Sequence, residues 1–176
     1  VYRNDDDIRY LELLDTPVDI ANPRIPQVPK PFRGEVVFDR VWFHYKPGES
    51  ILKNVSFRIE PGEKVAVVGA TGSGKTTTIK LLNRLYDIQK GSIKVSGADV
   101  RDWDLRALRR HIGVVLQDVF LFSGDVRANL ALGNPSIPLE RIREAAEIAN
   151  ADRFIRRLPD GYAAHVRERG SNFSGG

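Results

Sequence analysis

Residues Gly69-Ala70-Thr71-Gly72-Ser73-Gly74-Lys75-Thr76 satisfy G-x-x-x-x-G-K-[ST] at each fixed position, and this stretch limits the fold of the chain more than any other. Ahead of it the apolar run Val65-Ala66-Val67-Val68, bounded by Pro61-Gly62, predicts a short buried strand. Behind it Thr77-Thr78-Ile79-Lys80-Leu81-Leu82-Asn83-Arg84-Leu85 carries apolar residues at helical spacing. Strand, glycine-rich loop and helix together are the context of a phosphate-binding loop. The glycines allow successive backbone N–H groups to turn towards phosphate oxygens, and the helix N-terminus adds partial positive charge. Lys75 is expected on the β- and γ-phosphates and the Thr76 hydroxyl on Mg²⁺. A nucleotide site follows.

With 176 residues there is room for one domain, or for one and part of another. No apolar run reaches the roughly 18 residues that a membrane-spanning helix needs. The chain has no Cys, which excludes disulfides and thiolate metal sites. It opens on Val1 and stops at Gly176, the second residue of a glycine pair, so it reads as a fragment cut at both ends. The net charge is +4, and basic residues gather at Arg106, Arg109 and Arg110 and again at Arg153, Arg156, Arg157, Arg167 and Arg169. These clusters suit a nucleic-acid or anionic surface, or a solvated helix face beside a polyanionic nucleotide.

Ile8 to Leu14 has a helical apolar stripe ended by Pro17, and Pro17, Pro23, Pro26, Pro29 and Pro31 then predict an extended, semi-rigid connector. The domain proper is expected from Phe32. Val36-Val37-Phe38, Val41-Trp42-Phe43 and Val55 to Ile59 read as short strands of an antiparallel layer, with Tyr45 at a strand end. Ser92 to Ser96 is a further alternating strand. Leu105 to Arg110 is a helix with Asp104 as N-cap, and Ile112 to Leu116 reads as a buried parallel strand. Beyond Gln117 the chain turns helical: Val126 to Leu130 is short, and Leu139, Ile142, Ala145, Ala146 and Ala149 line a longer helix.

In this order the motifs resemble the nucleotide-binding domain of an ABC transporter, of the exporter type that moves drugs or lipids. The loop at 69–76, Gln117 after Val115-Leu116, and Asn172-Phe173-Ser174-Gly175-Gly176 match the family's phosphate loop, strand-end glutamine and signature, with Phe173 in place of the usual Leu. Phe120 to Leu130 resembles the exporter segment after the glutamine, and Val166-Arg167-Glu168-Arg169-Gly170 the loop before the signature, with Arg167 where a glycine is usual. The resemblance implies an α/β fold: a P-loop NTPase core with an antiparallel β-subdomain and a helical subdomain, the C-terminal part of its parallel sheet missing. It divides the chain into a helix tail and connector from a transmembrane domain (1–31) and a partial nucleotide-binding domain (32–176), with the helical subdomain at 119–176.

The same resemblance assigns roles. Tyr45 stacks on adenine, while Gly69, Thr71, Gly72, Ser73, Gly74, Lys75, Thr76 and Thr77 hold the phosphates of ATP. Thr76 and Gln117 reach Mg²⁺, and Lys75 and Gln117 are the catalytic residues. Ser174, Gly175 and Gly176 are expected at the γ-phosphate of a second nucleotide-binding domain. The other implied partner is the transmembrane domain of the same transporter, at the cytoplasmic face of the cell membrane; nucleic acid is not expected. The family's apolar strand ending in Asp-Glu and its later histidine have no counterpart here, so 1–176 alone is expected not to hydrolyse ATP. His44, His111 and His165 read as structural or surface residues. The alternative is a nucleic-acid-associated ABC ATPase of the repair, condensation or translation kind, which shares the loop and the signature.

Overall fold

Between Val36 and Ile59 short apolar runs are separated by polar and turn-forming residues, and this stretch forms a hairpin in the computed structural model, which describes residues 19–116 and 120–167. Strand β1 (Val36–His44) pairs antiparallel with β2 (Ser50–Ile59), with Phe38 opposite Phe57 and Phe43 opposite Leu52. The sequence pattern breaks β1 in two because Asp39 and Arg40 are consecutive polar residues. The strand runs through them as a bulge, with Arg40 at φ 47°, and the extra residue resets the alternation so that Phe38, Val41 and Phe43 all face the core. Strand β3 (Lys90–Val95) adds to the other edge of β1, and β4 (Ala98–Asp99) adds to β3, giving the antiparallel order β2-β1-β3-β4. Gly91 lies against the bulge, where a Cβ would stand 2.4 Å from the carbonyl oxygens of both Asp39 and Arg40. Only a residue without a side chain lets the two strands approach there.

Helix α1 (Lys75–Leu82) and helix α2 (Leu105–Arg110) bury Leu81 and Leu108 in the core with Phe38, Val41 and Ile93. Asp104 caps α2 as its sequence position predicts, accepting from the Ala107 N–H at 2.8 Å. Trp103 is fully buried and its Nε1–H donates to the Val95 carbonyl at 3.2 Å, so its one polar atom is satisfied. From residue 19 the proline-rich stretch forms no helix and one isolated bridge, and it is tied down. Gln27 makes a parallel bridge with Trp103, Asn22 hydrogen-bonds both the Asp104 carboxylate and the Leu105 N–H, and Phe32 stacks on His111 at 4.2 Å.

Two expected strands are absent. Val65 to Val68 and Ile112 to Leu116 join no ladder, and Val68 and Val115 are 88% and 98% exposed. The apolar pattern is there, but a strand exists only through the hydrogen bonds of a neighbour. Among the described residues both sheets are antiparallel and the bridge from Gln27 is the one parallel pairing. The mixed α/β content and antiparallel layer match the expectation; the parallel part of the sheet is not seen in these residues.

The described residues up to 114 and those from 115 onward form separate compact units. In the second, β5 (Gly124–Asp125) pairs with β6 (His165–Val166), and α3 (Val126–Leu130) is capped by Asp125, which accepts from Ala128 N–H at 2.6 Å. Helix α4 (Leu139–Ile148) packs Ile142 and Ala146 with Ile155 of α5 (Asp152–Ile155) and Tyr162. Ala145 and Ala149, expected on the same face, are exposed, because the buried stripe is one i, i+4 row wide. The Tyr162 hydroxyl donates to Asp152 at 2.7 Å; burial first, then this bond, pushes it up to about 12. Among the described residues no helix is long and apolar enough to cross a membrane.

Candidate nucleotide site

Residues Thr71, Gly72 and Ser73 are exposed, in a loop folded by a Ser73 N–H to Ala70 carbonyl bond of 3.2 Å. The loop is anchored at Gly74, which is buried and left-handed at φ 91° and ends it as the N-cap of α1. A Cβ on Gly74 would lie 2.6 Å from the Leu52 side chain, so the glycine lets the loop lie directly on β2. The first bond of α1 runs from the Thr78 N–H to the Gly74 carbonyl at 2.8 Å. No side chain caps the helix and its first turn holds no acidic residue. The leading N–H groups therefore remain for a ligand, in a field that favours an anion.

Lys75 folds back over the loop, its Nζ donating to the carbonyls of Gly69 at 2.7 Å and Ala70 at 2.9 Å. An ammonium held by two carbonyl oxygens is pre-placed beside the free N–H groups and can exchange those neutral acceptors for charged phosphate oxygens. Thr76 is exposed at the start of the helix, so its hydroxyl is accessible to a cation; Thr77 is buried.

Tyr45 follows the last residue of β1, 43% exposed, and its hydroxyl pairs with that of Thr77 at 3.2 Å. Its ring meets Phe43 edge-on at 4.8 Å and Tyr86 at 5.0 Å, and Lys80 Nζ stands 5.8 Å from its centre. The end of the hairpin, the loop and α1 thus bring Tyr45 together with Thr77, on the same first turn of α1 as Lys75 and Thr76. Tyr86 is not singled out by the sequence reading; the available signal is an aromatic just beyond the predicted helix end. Gln117, Ser174, Gly175 and Gly176 lie outside the described residues. In the second unit Phe120 and Phe122 contact each other at 5.0 Å and are both more than half exposed. Asn129 brackets Phe122, accepting from its N–H at 2.8 Å and donating to its carbonyl at 2.9 Å.

Comparison with known proteins gives the family of the chain. The family profile described as ABC transporter matches residues 52–176. The chain belongs to the ABC transporter family. YgaD of Bacillus subtilis, named as a putative multidrug export ATP-binding/permease protein, is 48% identical over 82% of this ABC chain and 25% of its own length. A fatty acid ABC transporter ATP-binding/permease protein of Mycobacterium bovis is 40% identical over 96% of this chain and 26% of its own. The chain thus spans about a quarter of the length of these curated relatives. The solved structure of a bacterial Atm1-family ABC exporter with ATP bound superposes with a TM-score of 0.85 at 37% identity, over 97% of this chain and 30% of that one. ATP binding is the property that the ABC family assigns to this domain, and the residues on the loop are of the kind it needs.

Proposed function

We propose that this chain is the ATP-binding module of an ABC exporter and couples ATP binding and hydrolysis to transport of a substrate across a membrane. The observation that carries the reading is the uncapped start of α1 beside Lys75 Nζ, a site built for a polyphosphate. Lys75 exchanges the Gly69 and Ala70 carbonyls for β- and γ-phosphate oxygens. Gly69 and Thr71 to Thr77 supply the cradle, and Tyr45 offers its ring to adenine, a contact worth about 1–3 kcal/mol by analogy with bases on aromatic platforms. Mg²⁺ would neutralise charge developing on the transferred phosphoryl group. Thr76 would hold it, with Gln117 as the second ligand and the residue that orients water.

The relatives' names, which pair ATP-binding with permease in one protein, support a transmembrane domain as partner and a place in an integral membrane transporter; the cytoplasmic face belongs to the same proposal. On this reading 1–31 connects to that domain, 32–176 is part of the nucleotide-binding domain, and 119–176 is its helical subdomain. Phe120 and Phe122 supply apolar surface for the membrane partner. Ser174, Gly175 and Gly176 serve the nucleotide of a second such domain. The test is Mg²⁺-dependent ATP hydrolysis by the full-length polypeptide in lipid vesicles. Thr76→Val should lose most turnover; wild-type turnover in that variant would overturn the assignment.

A further inference from the structure

We infer that Thr77 and Tyr86 are positioning residues that lock the Tyr45 ring in place and so couple the base end of the site to its phosphate end. The inference rests on the reading of Tyr45 as the adenine platform and adds what holds that platform.

A tyrosine has two side-chain torsions to fix, and three contacts from three elements fix them here. Phe43, 2% exposed, is the immobile reference at the end of β1, edge-on to the Tyr45 ring at 4.8 Å and 86°. Tyr86, in the turn after α1, meets the same ring at 5.0 Å and 84°, and meets Phe43 at 5.9 Å. Right-angle contact at these separations is the attractive geometry for aromatic pairs. The third contact is the hydroxyl pair of Tyr45 and Thr77 at 3.2 Å. Thr77 is 7% exposed on the first turn of α1, the turn whose free N–H groups face the phosphate site. Its hydroxyl is committed to Tyr45, so its contribution to a phosphate comes from its backbone N–H.

The ring is therefore tied to the helix that holds the triphosphate, at a set spacing from it. If either restraint is lost, the ring occupies its stacking position for only part of the time, and apparent affinity falls by that fraction. Tyr86 is itself 42% exposed, so it can be truncated without opening the core.

The test measures affinity for ATP and for inorganic tripolyphosphate, which has no base, by titration calorimetry on the full-length polypeptide. Tyr86→Ala and Thr77→Val should each weaken ATP by roughly two- to tenfold, the range of one edge-to-face contact or one hydrogen bond. Tripolyphosphate should bind Tyr86→Ala unchanged, and Tyr86→Phe should bind ATP like the wild type. In a Tyr45→Ala background, Tyr86→Ala should cost nothing further, because its effect runs through that ring. Equal ATP losses in both backgrounds, or a parallel loss of tripolyphosphate in Tyr86→Ala, would overturn the inference. Should Tyr45→Ala alone leave ATP affinity unchanged, the adenine assignment itself fails and the inference falls with it.

Discussion

Replacing Gly74 by alanine separates two costs that the phosphate loop imposes on its last glycine. The first is conformational: at φ 91° a residue with a Cβ loses about 1–2 kcal/mol. The second is steric. The new Cβ would lie 2.6 Å from Leu52 Cδ2 and 3.5 Å from Ile51 Cγ2. Leu52 is 4% exposed and packed with Phe43 and Leu81, so it cannot swing clear, and overpacking of this kind adds about 1–3 kcal/mol. Gly72 is the control, because φ is 84° there but nothing lies within 4 Å of an added Cβ. The two alanine variants should thus differ by about 1–3 kcal/mol, the steric part alone. Hydrogen exchange read by mass spectrometry over β2 and α1 gives local opening free energies without assuming two-state unfolding of a long polypeptide. Exchange in Gly74→Ala should be about 5- to 150-fold faster than in Gly72→Ala. Leu52→Val placed on Gly74→Ala should recover part of the loss. Equal exchange in the two glycine variants would refute the packing of the loop on β2, and no change in either would refute its left-handed conformation.

The sheet can be tested in the same way. Gly91→Ala drives a Cβ into two backbone oxygens at 2.4 Å and should loosen β1 and β3, whereas Gly97→Ala, at φ 84° with open space around it, should cost only the conformational part, about 1–2 kcal/mol; equal exchange rates would contradict the bulge contact. For Asp99, burial pushes the carboxyl up, but hydrogen bonds and charge from Arg101 outweigh it and hold it below the usual carboxylate range. Its stabilising contribution is therefore present above pH 3.8 and lost as pH falls through the folded value; Asp99→Asn should remove that part of the acid transition seen by circular dichroism. Tyr162 is shifted the other way, to about 12, so its contribution is intact below pH 10 and lost as pH rises towards 12. Absorbance titration at alkaline pH should show a late tyrosine phase that Tyr162→Phe abolishes.

The local features of the site are legible in the sequence because each depends on neighbours along the chain. The loop motif, the helix behind it, the Asp104 cap and the strand end at Tyr45 are set by backbone chemistry within a few residues. Features that depend on distant partners are not legible in this way. Arg40 reads as a strand break until Gly91, some fifty residues on, is seen to leave room for its bulge. Val65 to Val68 and Ile112 to Leu116 have the composition of buried strands, yet burial and pairing come from other strands, which no local pattern supplies. Tyr86 joins the site only because α1 returns the chain to Tyr45, and the connector is pinned by Asn22 and Gln27 through contacts roughly eighty residues apart in sequence. The hydroxyl contact between Thr77 and Tyr45, some thirty residues apart, is likewise supplied by no local pattern.

On the proposed function, the loop at 69–77 holds a nucleoside triphosphate through Lys75. Titration calorimetry of the full-length polypeptide with ATP and with AMP, in the wild type and in Lys75→Ala, tests it most directly. Loss of a charge-assisted hydrogen-bonding partner should weaken ATP by about 10- to 150-fold, the equivalent of about 1.5–3 kcal/mol. AMP, which has no β- or γ-phosphate, should bind both proteins alike. ATP affinity unchanged in Lys75→Ala, or an equal loss for AMP, would contradict the account.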